Sequence, residues 1–228
     1  MRIRSVRPFW ISLPLQHPIN MANVIVRAAD NLLVRIEDID GIVGWGEAAS
    51  APMMTGETPE SMIAAVEFMR PLLEGLEVED ASLFATRLDG FMYGNAAAKS
   101  ALDMALYDLA AKRWRVPVSA LLGGIARRDV PVLWMLAAGE VVAEVAAARR
   151  MAEAGFVAFK VKVGGPDPQA DVERCGAVRA AIGRSPRISA DANQGYGRTQ
   201  ALRFAAGALA AGLDFIEQPV PGQDLETM

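Results

Sequence analysis

Residues 158–165 read Ala-Phe-Lys-Val-Lys-Val-Gly-Gly, a pattern that predicts a β-strand ending in a glycine turn. Because side chains alternate along a strand, we expect Lys160 and Lys162 on one face and Phe159 and Val161 on the other. Two ammonium groups in one space repel each other, which favours the loss of a proton and suits one lysine to act as a base. The alternative is an edge strand with two solvated lysines, which would discourage pairing at that edge.

The composition excludes several classes of protein. The chain has 228 residues, a formal net charge of −4 and 52% hydrophobic residues, enough for one large or two small domains with no charge suited to nucleic acid. A single cysteine, Cys175, allows no intrachain disulfide and favours a reducing, cytoplasmic location. We expect no signal peptide and no membrane contact, because the apolar runs are too short. His17 is the only histidine, which excludes a histidine-rich metal site.

The first part of the chain predicts a mixed α+β domain that ends near Gly124. Alternation predicts a strand over 2–13 and a hairpin over 31–37 and 41–47, while the first half of residues 17–30 is expected to be an exposed loop. Residues 51–57 form a second predicted loop, and a helix is expected to follow it and to reach Leu73. A further helix over 96–114 has an apolar stripe of small residues that predicts close packing, with Asn95 as its expected N-cap.

Beyond residue 124 the pattern changes to regular alternation of strands and helices. We expect strands over 130–136, 157–163, 187–191 and 214–217. Helices over 141–154, 168–182 and 198–211 lie between them, each ended by a glycine. Such units predict parallel strands with right-handed crossovers, as in either a doubly wound sheet or a (β/α)8 barrel. No GxGxxG motif follows the first of these strands, which weighs against a nucleotide-binding sheet.

Three of these strands end in polar residues. The second carries the lysines, the third ends at Asp191 with Asn193 on the same face, and the fourth ends at Glu217. The carboxyl ends of parallel strands meet at one edge of the sheet, so the two carboxylates should lie close together and repel unless a cation joins them. Oxygen ligands favour Mg²⁺. Each residue also has a simpler interpretation: an Asx turn or helix cap for Asp191, a surface strand end for Glu217, and turn chemistry for Asn193.

Six stretches together resemble the enolase superfamily, and most closely the muconate-lactonizing-enzyme subgroup of the mandelate racemase/muconate lactonizing enzyme family. They are GWGEA (44–48), GNAAAKSALDMALYDLAAK (94–112), PVSALLGG (117–124), FKVKVG (159–164), DANQGY (191–196) and EQP (217–219). The K-x-K, DAN and EQP set in this order is the specific part of the signal. The resemblance implies an α+β capping domain over residues 1–124, followed over 125–228 by the first half of a (β/α)8 barrel, truncated after its fourth strand.

The resemblance also implies roles for individual residues. Lys162 matches the acid/base on the second strand, and Lys160 matches the neighbour that tunes it or contacts the substrate carboxylate. Asp191 and Glu217 match two metal ligands, and Asn193 matches a residue beside the metal. Two loops of the capping domain, near 17–26 and 51–57, would close over the substrate. Methionines on these loops, among them Met21 and Met53, suggest apolar contact with it.

The sequence departs from the family where it stops, at Met228. A third metal ligand is expected on a fifth strand and an opposing lysine on a sixth, and neither is in this sequence. We therefore expect the chain to be a fragment of a longer protein, because four strands cannot close an eight-stranded barrel and open sheet edges would be exposed.

The same resemblance implies a metal-dependent isomerase or lyase activity for the protein in its full-length form. This activity is removal of a proton α to a carboxylate to give an enediolate, assisted by Mg²⁺ or by Mn²⁺ as a substitute. Cycloisomerisation, racemisation or epimerisation, or dehydration of a small carboxylate would follow. We expect a homo-oligomer whose partner is a small molecule, with no nucleic acid or membrane. Two alternatives remain: a barrel enzyme whose lysine forms a Schiff base, and a non-catalytic scaffold of the same fold.

Overall fold

In the computed structural model of the protein, residues 2–21, 24–77 and 81–228 are described. The chain divides into two compact units, Met1–Leu15 with Ala28–Arg128 and Gln16–Arg27 with Asp129–Met228. Each unit contains its own hydrophobic cluster of buried residues. The boundary near residue 124 stays a prediction.

The N-terminal part of the chain forms a three-stranded sheet whose strands, in spatial order, are β1 (Ile3–Met21), β2 (Val24–Asp38) and β3 (Val43–Ala49). β2 and β3 pair antiparallel, with Asn31 opposite Ala49, which confirms the predicted hairpin. Alternate side chains of β2, at Leu32, Val34 and Ile36, are fully buried. This period of two places one face of the hairpin against the core.

The loop predicted in the first half of residues 17–30 is wrong for the residues described there. β1 continues to Met21 and β2 begins at Val24. β1 contains Pro14 and Pro18 and lies at the edge of the described sheet. An edge strand tolerates residues that have no N–H to donate to a neighbour.

Among the described residues of this part of the chain, the helices are α1 (Pro59–Leu73), α2 (Ala81–Phe91), α3 (Ala96–Trp114) and α4 (Val118–Leu121). α1 begins at a capping box in which the hydroxyl of Thr58 accepts a hydrogen bond from the Ser61 amide and the Ser61 hydroxyl accepts one from the Thr58 amide. α2 was not predicted. Its buried residues Phe84 and Leu88 lie one turn apart, which is the helical spacing that would have indicated it.

The start of α3 is capped from elsewhere in the chain. Asn95 is not the predicted side-chain cap, because its φ is 53° and its side-chain amide Nδ2 donates to the Tyr93 carbonyl. The carboxylate of Glu57, only 6% exposed, instead accepts hydrogen bonds from the amides of Ala97 and Ala98, at 3.0 and 3.2 Å. A negative charge is favourable at a helix N-terminus, so one buried carboxylate satisfies two amides that the helix itself leaves unpaired.

α3 packs against β3 with its main chain almost in contact. A Cβ added at Gly46 would lie 1.9 Å from the carbonyl oxygen of Ala101, and one at Gly44 would lie 2.1 Å from that of Ala105. Neither position accepts a side chain. The predicted close packing of the small helical stripe is confirmed, and it accounts for both glycines of the GWGEA stretch.

The second unit contains alternating strands and helices. They are β4 (Trp134–Leu136), α5 (Val141–Glu153), β5 (Ala158–Lys162), α6 (Pro168–Ile182), β6 (Arg187–Asp191), α7 (Arg198–Ala208) and β7 (Phe215–Glu217). The strands are parallel, as predicted. β4 is shorter than the predicted 130–136. It begins at Trp134, and Pro131, which lies within the predicted range, cannot donate to a strand ladder.

The arrangement of these elements favours a barrel over a doubly wound sheet. The spatial order β4-β5-β6-β7 follows the chain without the reversal that a doubly wound sheet requires. α5 packs on α6 and α6 packs on α7, so these three helices form a single layer. Four parallel strands with one layer of helices are the first half of a (β/α)8 barrel, as predicted. No described helix is long and apolar enough to cross a membrane.

Candidate active site

The two lysines of β5 lie on one face of the strand. Phe159 and Val161, between and beside them, are buried in the hydrophobic cluster of the second unit. The side chains of Lys160 and Lys162 are 18% and 10% exposed. β5 pairs with β4 on one side and β6 on the other. The alternative of an edge strand with solvated lysines is therefore wrong.

The register of the sheet brings three charged residues into one row. Lys162 on β5 pairs with Asp191 on β6, and Asp191 pairs with Glu217 on β7. Each is the last residue of its strand, and side chains that share a row on paired strands project from the same face. The structure thus places the lysine and both carboxylates side by side at the carboxyl edge of the sheet.

The ammonium groups and carboxylates of this row form a continuous ion-pair cluster. Lys162 Nζ lies 2.6 Å from Asp191 Oδ2 and 2.7 Å from Asn193 Oδ1. Lys160 Nζ lies 2.6 Å from Glu217 Oε2 and 3.7 Å from Asp191 Oδ2. From the sequence, the lysines were expected to face a cation bound by the carboxylates. The structure shows that each lysine also contacts a carboxylate directly. These attractive contacts offset the repulsion between the two ammonium groups and the repulsion between the two carboxylates.

Asp191 uses its two oxygens differently. Oδ2 faces the lysines, whereas Oδ1 accepts a hydrogen bond from the amide of Asn193 at 3.0 Å. The Asx-turn interpretation of Asp191 is thus correct for Oδ1, whereas Oδ2 interacts with the charged lysines.

Three residues beside this row have left-handed backbone conformations. Asn193, Gln194 and Gln218 all have positive φ, at 45°, 67° and 40°. Left-handed backbone at non-glycine residues is costly and concentrates at functional sites.

The main chains of β5 and β6 approach closely just beyond this row. Gly164, at φ 103°, could not carry a Cβ, since that atom would lie 2.7 Å from the carbonyl oxygen of Ala192. The amide of Val163 donates to the carbonyl of Asp191, and the amide of Ala192 donates to that of Glu217. The glycine turn predicted after the lysines therefore has a packing role.

Four buried polar residues on the helix side of the sheet were not predicted. We call them the Arg174 network: Glu144 on α5, Asp171 and Arg174 on α6, and Tyr196 after β6. They are between 1% and 7% exposed. A signal was available in the sequence, because Asp171 and Arg174 occupy the same face of α6 as the buried Cys175 and Val178. Charged residues at apolar-stripe positions indicate a buried polar contact.

The network changes the protonation chemistry of its members. Burial alone would lower the pKa of Arg174, but the carboxylates of Glu144 and Asp171 more than compensate, so its pKa is raised. Burial, together with the hydrogen bond to Asp171, raises the pKa of the Tyr196 hydroxyl. Burial also raises the pKa of the neighbouring Cys175 thiol to about 12. The arginine is thus held charged, and the hydroxyl and thiol are held neutral.

The sequence predicted substrate contact for two methionines, Met21 and Met53, and the structure does not test this prediction. Met53 lies in residues 51–57, which are outside helices and strands as predicted, and its side chain is 67% exposed. The side chain of Met21 lies outside the described part of the chain. Their role in binding stays a prediction.

The side chains of Asp191 and Glu217 are the ones in this row that could hold a divalent cation. One carboxylate oxygen of each faces the same ammonium group, that of Lys160, so both lie around a common centre of positive charge. Their donors are oxygens, which suit Mg²⁺. Within residues 2–21, 24–77 and 81–228, no three His, Cys, Asp or Glu side chains cluster closely enough to hold a metal on their own.

Comparison with known proteins gives the family. The mandelate racemase/muconate lactonizing enzyme N-terminal domain matches residues 5–123, just over half of the chain, and the enolase C-terminal domain-like family matches residues 143–228. The chain belongs to the mandelate racemase/muconate lactonizing enzyme family. The enolase superfamily resemblance of the sequence motifs is confirmed.

Relatives in the mandelate racemase/muconate lactonizing enzyme family include several isomerases. The chain is 30% identical over 225 residues to a chloromuconate cycloisomerase of Cupriavidus necator, covering 97% of this chain and 60% of that protein. It is 32% identical over 232 residues to an L-Ala-D/L-Glu epimerase of Clostridium acetobutylicum, covering 99% and 63%. The chain thus spans about 60% of the length of the curated relatives it matches.

Solved structures of the mandelate racemase/muconate lactonizing enzyme family superpose closely. A muconate lactonizing enzyme from Pseudomonas fluorescens, complexed with muconolactone, gives a TM-score of 0.94 at 31% identity, covering 99% of this chain and 62% of that one. An N-succinyl Arg/Lys racemase from Bacillus cereus gives 0.93 at 30% identity, covering 100% and 62%. These comparisons confirm the predicted fold class, an α+β capping domain followed by part of an α/β barrel.

Proposed function

We propose that the protein is a Mg²⁺-dependent enzyme that removes the proton α to a carboxylate in a small organic acid, with Lys162 as the proton acceptor. The observation that carries this proposal is the single row of Lys162, Asp191 and Glu217 at the carboxyl edge of a parallel sheet. Barrel enzymes assemble their active sites at this edge. The cycloisomerase, epimerase and racemase relatives support the same class of reaction.

Lys162 is placed to hold a proton once it has accepted one. Its Nζ donates to Asp191 Oδ2 and Asn193 Oδ1, which are the contacts of an ammonium ion. Proton acceptance converts a neutral amine into such an ion. Since both acceptors are in position beforehand, the developing positive charge is stabilised without reorganisation of the site.

Lys160 supplies a second positive charge on the same face. Its Nζ contacts Glu217 at 2.6 Å, and its side chain is more exposed than that of Lys162. A cation at this place attracts the carboxylate of a substrate and favours the negative charge that develops on it when the α-proton leaves. Asp191 and Glu217 would hold Mg²⁺, or Mn²⁺ in its place, and the bound cation would contribute several kcal/mol of charge stabilisation at the same carboxylate.

Proton removal is the step that cycloisomerisation, epimerisation or racemisation, and dehydration have in common. Which of them follows depends on the substrate, and we assign substrate choice to the segments that carry Met21 and Met53. We further propose that the protein acts in the cytoplasm as a homo-oligomer. Muconolactone, L-Ala-L-Glu and N-succinyl-L-arginine represent three chemistries named for the relatives.

The experiment is solvent exchange at the α-carbon. The full-length protein is incubated in D₂O with Mg²⁺ and each of the three compounds, and deuterium at the α-carbon is followed by NMR. We expect exchange of at least one compound, and a loss of about 100- to 10,000-fold in Lys162→Met, the usual contribution of a general base. Lys112→Met is the matched control, because Lys112 lies on α3 and its ammonium group contacts Asp108 and the Val43 carbonyl.

Other outcomes would point elsewhere. Exchange that persists in Lys162→Met would remove this lysine as the base, and exchange that persists in EDTA would remove the metal. A covalent adduct trapped by borohydride would favour the Schiff-base alternative. If Mg²⁺ shifts no melting temperature and no compound exchanges, the non-catalytic scaffold becomes the better interpretation.

A further inference from the structure

The Arg174 network joins the end of β5 to the segments on either side of it. Arg174 Nη1 contacts both oxygens of Glu144, at 3.0 and 2.9 Å. Its Nη2 donates to the carboxylate of Asp171 and, at 2.8 Å, to the main-chain carbonyl of Lys162. One guanidinium therefore holds the base's own main chain and two carboxylates in fixed directions.

Asp171 binds the turn that follows Lys162. Its Oδ2 accepts hydrogen bonds from the amides of Gly164 and Gly165, at 3.1 and 3.0 Å, and from the hydroxyl of Tyr196 at 2.6 Å. Glu144 in turn accepts one from the amide of Gly139 at 2.9 Å. The network thus contacts the main chain or side chains of three consecutive strand-to-helix connections.

Fold stability alone does not account for such a network. Burying three charges costs several kcal/mol per ion, and apolar residues of similar volume commonly give equal or greater stability. What apolar residues would not give is a set of directed hydrogen bonds to the carbonyl of Lys162 and the two amides beyond it. These bonds fix the main-chain atoms from which the Lys162 side chain extends.

We propose that the Arg174 network is a positioning device that fixes the end of β5 and thereby places Lys162 Nζ against Asp191 and Asn193; this rests on the proposed function, in which Lys162 accepts the proton. The network touches neither the lysine amine nor the carboxylates of the row. It acts through the main chain, at the opposite face of the sheet from the site.

The decisive variant is Arg174→Lys, with Arg179→Lys as its matched control. A lysine at position 174 keeps the charge but cannot reach Glu144 and the Lys162 carbonyl together. Arg179 lies on the same helix, is also largely buried and also donates to carbonyls, those of Gly183, Pro186 and Gly212. These carbonyls precede the strands, so Arg179 braces the end of the sheet remote from the site. Tyr196→Phe removes a single hydrogen bond from Asp171 and keeps the ring that packs on Phe204.

The kinetic readout separates positioning from stability. We expect Arg174→Lys to lower kcat for α-proton exchange by about 10- to 100-fold with KM within about twofold, as supporting residues around a site typically do. Tyr196→Phe should lower kcat by a smaller factor. Arg179→Lys should lower the melting temperature without lowering kcat. If Arg174→Lys and Arg179→Lys lower the melting temperature alike and both keep the wild-type kcat, the network is structural only and the proposal is wrong.

A second readout needs no turnover. Limited acetylation with acetic anhydride, followed by mass spectrometry, measures the reactivity of Lys162 relative to Lys112 in the same molecule. Loosening of the strand end should raise the relative reactivity of Lys162 by about threefold or more in Arg174→Lys and leave it unchanged in Arg179→Lys. Unchanged relative reactivity in both variants would overturn the positioning role. Failure of every compound to exchange would instead overturn the proposed function alone.

Discussion

Two buried aspartates, Asp171 and Asp191, lie twenty residues apart in one unit and differ in most of their partners. Asp171 is 6% exposed and receives two main-chain amides, a tyrosine hydroxyl and an arginine. Asp191 is 2% exposed, and within the described part of the chain its Oδ2 contacts the ammonium groups of Lys160 and Lys162. Main-chain and guanidinium donors are fixed in direction, whereas a lysine amine sits on a flexible stem.

This difference separates a carboxylate that holds shape from one that can exchange partners. The donors to Asp171 belong to the turn after β5, to α6 and to the Tyr196 ring, and each is fixed in direction, so this carboxylate keeps one set of partners. The lysine donors to Asp191 Oδ2 lie on flexible stems, so this oxygen can also accept a cation beside them. Burial alone would have placed the two in one class, and only the identity of the partners distinguishes them.

Removal of one carboxylate from each cluster should give the largest difference in the free energy of unfolding. We expect Asp171→Ala to lower the free energy of unfolding by about 3–5 kcal/mol, because it leaves Arg174 and two amides without their partner. Glu217→Ala removes a carboxylate whose side chain is 43% exposed and should cost less than about 1 kcal/mol. Denaturant unfolding of both variants measures the difference.

The opposite ranking, or equal losses in both variants, would show that the two clusters contribute alike. This conclusion requires that the free energy of unfolding falls with denaturant concentration at the same slope in both variants, since a changed slope reports a different unfolded state.

Glu57 extends the comparison to the other unit, because it too is a buried carboxylate held by main-chain amides. Glu57→Ala should cost about 1–2 kcal/mol, the usual range for loss of a helix N-cap. Asp89→Ala is a suitable control, since Asp89 is an exposed carboxylate of α2 that forms an ion pair with Lys99. Equal melting temperatures for the two variants would show that the contacts to Ala97 and Ala98 contribute no stability.

The local part of this structure could be read from the sequence. Strand and helix alternation beyond residue 124, the glycine ends of the helices and the shared face of Lys160 and Lys162 all follow from spacing within about ten residues. The row of Lys162, Asp191 and Glu217 also followed, because parallel strands of similar length end at one edge. Each of these inferences uses only a period and an order along the chain.

The contacts that were not predicted join residues far apart in sequence. Glu57 caps a helix forty residues away, and Arg174 meets Glu144 at a separation of thirty. Asn95 was a reasonable cap by local rules, but a distant carboxylate had taken its place. The same limit applies to the prolines of β1, whose tolerance depends on the strand having an edge position, which no local pattern reveals.

The pH dependence contributed by Cys175 is the smallest expected effect on stability. It tests whether water reaches the side of β5 on which Asp171 lies. Its thiol is charged only when it loses its proton, and burial raises its pKa from 9.0 to about 12. Well below pH 9 both the folded and the unfolded chain keep this proton, so the stability linked to it is fully present. As the pH rises through 9 towards 12, the unfolded chain releases the proton first and stability falls. At about pH 9.5 the loss should be about 0.8 kcal/mol.

Cys175→Ala measures this term without interference from Tyr196. The variant lacks the thiol and should lose about 1 kcal/mol at every pH through its smaller volume. The free-energy difference between wild type and variant should therefore shrink between about pH 8 and pH 9.5, by the amount the thiol contributes. Tyr196 is present in both proteins, so its own raised pKa cancels. Unfolding curves that stay parallel over this range would mean that the thiol ionises as easily in the folded protein as in the unfolded chain, and that water reaches the side of β5 where Asp171 lies.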